Sequence, residues 1–78
     1  MDAILKFLSK LQPKVRERLE SVISDIAQNR LKELDIKPLK GYKGWYRCRV
    51  GDIRIIFVKN SGANILIEIG FRGDMYKK

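Results

Sequence analysis

The stretch 45-WYRCRVGDIRIIFV-58 places two β-type runs on either side of Gly51-Asp52. A two-residue connection of this kind predicts a hairpin and fixes its register. Val50 then faces Ile53, Arg49 faces Arg54, Cys48 faces Ile55 and Arg47 faces Ile56. Side chains alternate along a strand, so Arg47, Arg49 and Arg54 share one face. The other face collects Tyr46, Cys48, Val50, Ile53, Ile55 and Phe57, and it is the one that must be buried. A small sheet that commits three positions of one hairpin to fixed positive charge presents that charge to something.

Downstream, residues 63–71 read as a third strand after Asn60-Ser61-Gly62. Setting Ile65, Ile67, Ile69 and Phe71 on the apolar face requires Lys59 to pair with Ala63 across a three-residue loop, because a one-residue slip reverses every side chain. In that register Glu68 lies opposite Arg54, and Gly70 and Arg72 continue the arginine face. The three runs form an antiparallel meander.

Upstream, the spacing predicts two helices. From Asp2 as N-cap, Ile4, Phe7, Leu8 and Leu11 fall on one helical face. Pro13 suits the first turn of a second helix, in which Val15, Leu19, Val22, Ile23, Ile26 and Ala27 line one side. Asn29 is a candidate end of that helix, with Leu31 and Leu34 as a possible extension before Pro38. Residues 35-DIKPLKGYKG-44 concentrate Pro, Gly and Lys and read as a loop between the helical half and the sheet. The expected fold is α+β, a helical hairpin packed on one face of a three-stranded antiparallel sheet, with residues 1–78 as a single domain.

At 78 residues the chain buries only about 60% of its unfolded surface, so the core is thin. Lysine and arginine number 17 against 9 acids, a net charge of +8 that favours a polyanionic partner. Residues 1–40 carry 9 basic and 6 acidic side chains, and residues 41–78 carry 8 and 3, so the excess concentrates in the sheet half. With no histidine and one cysteine, neither a metal site nor a cofactor is expected. Cys48 suits a reducing cytosol and a place inside a strand. No apolar run approaches the ~18 residues of a membrane span, so no membrane partner is expected and the reading is cytoplasmic.

The predicted cross-strand pair Arg49–Arg54 works against folding, since directly opposed like charges destabilise a sheet. Conflicts of this kind collect at functional sites. Arginine's planar fork donates two parallel hydrogen bonds to phosphate oxygens. Trp45, with Tyr42 or Tyr46, offers rings on which an exposed base can stack, and Lys43 adds a further cation. Single-stranded RNA fits this combination.

The ordered set 39-LKG-41, 46-YRCRVGDIRIIF-57 and 70-GFRGDMY-76 resembles the RelE/ParE superfamily of bacterial toxins, in particular the RelE-like mRNA interferases. The family hairpin is of the type Y-R-I-R-x-G-x-Y-R-V-x-Y, and its C-terminal part carries G-x-R, a short spacer and tyrosine. The resemblance covers most of the chain. It implies two helices on one face of an antiparallel sheet, here lacking the usual N-terminal strand, which leaves one sheet edge open. It also implies a toxin of a type II toxin–antitoxin system, a ribosome-dependent endoribonuclease acting without metal on mRNA in the ribosomal A site. Carried over by position, Arg54, Arg72 and Tyr76 are catalytic and Arg47 and Arg49 bind RNA; Lys43 and Trp45 join the RNA-binding set from the reading of the residues themselves. Relatives often have lysine where this chain has Arg47 and Arg49. Tyr76 is the candidate general base, with Glu68 behind it, and a cognate acidic antitoxin is the expected protein partner. Two alternatives stay open: a ParE-like toxin that inhibits DNA gyrase, and a catalytically inactive RNA-binding relative.

Overall fold

A computed structural model describes residues 3–60 and 63–71. Helix α1 spans Ala3–Ser9 and α2 spans Pro13–Ala27, followed by strands β1 (Asp35–Pro38), β2 (Trp45–Val50), β3 (Ile53–Asn60) and β4 (Ala63–Phe71). The strands form one antiparallel sheet in the order β1-β2-β3-β4. None of the described helices is long and apolar enough to cross a membrane.

Helix α2 begins where Pro13 needs no N–H partner, and the Gln12 carbonyl accepts the first intrahelical bond from Arg16 at 2.9 Å. It ends at Asn29, which takes a left-handed φ of 59°. The Arg30 N–H reaches back to the Asp25 carbonyl at 2.7 Å and the Asn29 N–H to the Ile26 carbonyl at 3.0 Å, the paired bonds of a Schellman cap. Leu31 and Leu34 therefore lie beyond the helix and pack half-buried against the core. Val15 and Ala27, expected on the buried side of α2, are exposed, and the core-facing stripe is Leu19, Val22 and Ile26.

That stripe and Leu8 of α1 meet Cys48, Ile53, Ile55 and Phe57 of the sheet. The helices cover one face only, the one the hairpin alternation assigns to the apolar residues. The β2–β3 register is as expected, from Val50↔Ile53 through Arg49↔Arg54 to Arg47↔Ile56. Gly51, with φ 60°, leads the turn, and glycine at the first of two turn positions is what a type II′ hairpin requires.

Two expectations are corrected. The sheet has four strands, not three, because Asp35–Pro38 pairs with β2 instead of running as loop. Only Ile36 of this strand is even half-buried, and Pro38 is tolerated because the strand lies at the sheet edge. The second correction is the β3–β4 register. Asn60 pairs with Ala63 and Lys59 with Asn64, one residue away from the expected Lys59–Ala63 pair. Ile65 is thereby turned to the outer face, and Leu66 takes the core side opposite Phe57.

A bulge then restores the phase. Phe57 pairs with Leu66 but Ile56 with Glu68, leaving Ile67 as the extra residue. Ile69 and Phe71 return to the core side as expected, Phe71 meeting the Phe7 ring edge-on at 5.3 Å. Ile67 remains 44% exposed.

The shift also gives Asn64 a task. Its amide donates to the Ile26 carbonyl at 2.8 Å and to Asn29 Oδ1 at 3.1 Å, tying β4 to the end of α2. Asn64→Ala is expected to lower the stability by about 1 kcal/mol, since it removes a partner from a helix-terminal carbonyl. Urea unfolding followed by circular dichroism checks this, and an unchanged midpoint would show that the tie contributes nothing.

Candidate nucleic-acid interface

Three cross-strand rows cross the face that the helices leave uncovered. One runs Asp35, Arg49, Arg54, Gly70; the next runs Lys37, Arg47, Ile56, Glu68. The third runs Trp45, Val58, Ile65. Successive rows lie two residues apart along β2, about 6.8 Å. Arg47, Arg49 and Arg54 thus share one face, together with Lys37.

Two pairs of like charge stand directly opposite one another, Arg49–Arg54 and Lys37–Arg47. Each costs the sheet between a few tenths and about 1 kcal/mol. Among the described residues, the carboxylates on the face, Asp35 and Glu68, sit at the outer ends of the rows, and four cations outnumber them. Glu68 lies opposite Ile56, not opposite Arg54 as the expected register had it. The residue opposite Arg54 is Gly70, which adds no side chain to the face at that point.

Burial is graded across the cluster. Arg54 is only 5% exposed, Arg47 is half-buried and Arg49 is exposed. A guanidinium held at low local dielectric acts on a nearby anion more strongly than one in water. The depth of Arg54 had no signal in the sequence, where it looks like its two neighbours. Lys37 and Asp35 carry no such signal either, because the Pro, Gly and Lys around them have the composition of a loop.

Lys43 is exposed on the β1–β2 connection, and Trp45 opens β2 on the arginine face. Tyr46 belongs to the opposite face, where it stacks on Phe57 at 5.8 Å under the Lys59 ammonium, so it offers no ring to the arginine side. Arg72 and Tyr76 lie outside the described residues.

Cys48 has no part in this face. It is fully buried between Ile36 and Ile55, and burial, reinforced by the Asp35 carboxylate, pushes its thiol from the ordinary 9.0 up to about 11. Only the thiolate is nucleophilic, so Cys48 is inert at neutral pH. Its neutral form is favoured in the fold, and the stability tied to it is intact below pH 9.0 and is lost as pH rises through about 11. We expect Ellman's reagent to label native protein far more slowly than urea-unfolded protein at pH 8. Equal rates would refute the burial.

Fold and face together define a small α+β domain with a cationic sheet surface on the side away from its helices. No protein-family model matches the sequence. A curated protein, Toxin RelE3 of Methanocaldococcus jannaschii, is 33% identical over 75 residues, covering 92% of this chain and 85% of the relative. Among solved structures, the RelB–RelE antitoxin–toxin complex from Methanococcus jannaschii contains a chain that superposes with a TM-score of 0.75 at 32% identity, over 92% of this chain and 87% of that one. The chain belongs to the RelE toxin family.

Proposed function

We propose that this protein is the toxin of a RelB–RelE-type pair and that it cleaves mRNA in the ribosomal A site. The observation that carries the reading is the cluster of Lys37, Arg47, Arg49 and Arg54 on the uncovered sheet face, held there against the repulsion of two opposed cation pairs. The structural neighbour is a toxin solved with its antitoxin, which supports an antitoxin partner here as well.

The reaction fits a site made of arginines. The ribose 2′-oxygen bonds to the adjacent phosphorus as its proton leaves, the bond to the 5′-oxygen breaks, and that oxygen takes up a proton. The products are a 2′,3′-cyclic phosphate and a 5′-hydroxyl. Negative charge gathers on the non-bridging oxygens in the transition state, and preorganised cationic donors stabilise it most. Arg54 and Arg72 fill that role, while Arg47 and Arg49 hold flanking phosphates. Tyr76 accepts the 2′-proton, with Glu68, on the same face as Arg47, as the alternative. An acidic antitoxin inhibits by covering the arginine face or displacing Tyr76, and a strand added at the sheet edge extends its grip.

The test is a translating extract in which mRNA 5′ ends are mapped after addition of wild type or Arg72→Ala. Wild type is expected to produce cuts in codons occupying the A site, and Arg72→Ala to produce none. Uncut mRNA, or DNA breaks that depend on gyrase, would defeat the proposal.

A further inference from the structure

The end of the uncovered face where β2 begins is apolar. Trp45 and Val58 there are half-buried, and Ile65 is 47% exposed. Against Trp45 lies Tyr42, with ring centroids 5.6 Å apart and planes at 39°. Tyr42 is itself 59% exposed and takes no part in the core.

The connection that carries it is tightly built. The Leu39 N–H donates to the Trp45 carbonyl at 2.8 Å, the Tyr42 N–H to Leu39 at 3.1 Å and the Trp45 N–H to Tyr42 at 3.1 Å. The Lys59 N–H fastens the Gly44 carbonyl to β3 at 2.9 Å. Gly41 and Gly44 adopt φ of 86° and 84°, conformations that other residues resist. The loop is thus fixed in a shape that sets an exposed tyrosine on the tryptophan. Burial does not account for that arrangement, because the ring faces water.

We propose that Tyr42 and Trp45 form a stacking platform for one unpaired nucleobase of the substrate strand and bias the site toward purines there. The inference rests on the RNA-cleavage reading and adds a base subsite to it. Arg47 follows Trp45 by two residues on the same face, about 6.8 Å away, so a phosphate held by Arg47 leaves the adjoining base within reach of the rings. Lys43 lies between the two aromatic residues in sequence and supplies a cation for the backbone of that nucleotide. Stacking on aromatic side chains tolerates any base, and the larger purine face gains more from it.

Trp45 is the only tryptophan in the chain, so its emission reports the contact directly. The probes are hexaribonucleotides of 2′-O-methyl adenosine, which lack the attacking hydroxyl, the matching uridine hexamer, and an abasic hexamer of equal charge. The adenosine hexamer is expected to quench Trp45 and to bind more tightly than the uridine one, while the abasic hexamer binds without quenching. Tyr42→Ala should weaken adenosine binding on the order of tenfold and leave abasic binding unchanged, with Tyr42→Phe close to wild type.

Equal behaviour of the adenosine and abasic hexamers, indifference to Tyr42→Ala, or quenching that appears only with ribosomes each overturns the platform. In the last case the rings meet ribosomal RNA instead of the substrate. A silent Trp45 with mRNA still cut at the A site removes the platform alone. Quenching with purine preference but no cut product removes the cleavage reading and leaves the platform standing.

Discussion

Arg54→Met is expected to lower the rate of mRNA cleavage about 10²- to 10³-fold, the usual cost of removing one preorganised donor from a charge-developing transition state. The same substitution is expected to leave the protein folded. Arg54 is 5% exposed and stands directly opposite Arg49, so the fold bears both a desolvated guanidinium and a like-charge pair. An unbranched apolar side chain of similar length relieves the desolvated charge and the opposed pair, which offsets the loss of the interactions the guanidinium makes. Arg54→Lys keeps the charge but loses the planar fork, so most of the rate should still be lost. Cleavage in a translating extract and urea unfolding, measured on the same preparations, check the two halves together. A variant that cuts normally removes Arg54 from the chemistry, and one that unfolds shows its burial to be structural.

This opposition between stability and function also separates what the sequence made legible from what it did not. The first hairpin was readable because Gly51-Asp52 permits one register, and alternation from there assigns Arg47, Arg49 and Arg54 to a common face. The helices were readable from the spacing of Leu8, Leu19, Val22 and Ile26, but the end of α2 was not, since Leu31 and Leu34 extend the helical spacing and only the left-handed conformation of Asn29 decides it. β1 was not readable. Its four residues have no alternation of their own, and they become a strand because the edge of β2 offers them backbone partners.

The register of β4 was hidden for a different reason. The run of isoleucines at 65, 67 and 69 invites uniform alternation, yet Asn64 gains two hydrogen bonds by turning inward, and the bulge at Ile67 lets the strand satisfy that amide and still pack Ile69 half-buried against the core. A polar residue chose the phase over its apolar neighbours. At the site, the identity of the cations was legible but their depth was not, because Arg49 and Arg54 stand opposite each other on two inner strands with the same residue type, and yet one is exposed and the other buried.

The largest stability loss is expected at Phe57, on the opposite side of the same strand. Phe57 is fully buried, stacks on Tyr46 at 5.8 Å and pairs across the sheet with Leu66, in the cluster that holds Leu19, Ile26 and Ile55. Truncation to alanine costs about 3–5 kcal/mol through lost burial and an unfilled cavity. Domains have total stabilities of about 0.05–0.15 kcal/mol per residue, about 4–12 kcal/mol for 78 residues, and a chain this short with a thin core falls at the low end, where such a loss leaves little or nothing. Phe57→Ala should therefore be largely unfolded at 37 °C by circular dichroism, whereas Phe57→Leu, which keeps an apolar side chain in place, should fold with a lowered urea midpoint. Apolar neighbours on the other face cannot compensate, because Val58 and Ile65 sit where no helix covers them. If Phe57→Ala melted like wild type, the helices could not be anchored on this face, and the outward placement of the arginines, which follows from alternation with Phe57 and Ile55, would fail with it.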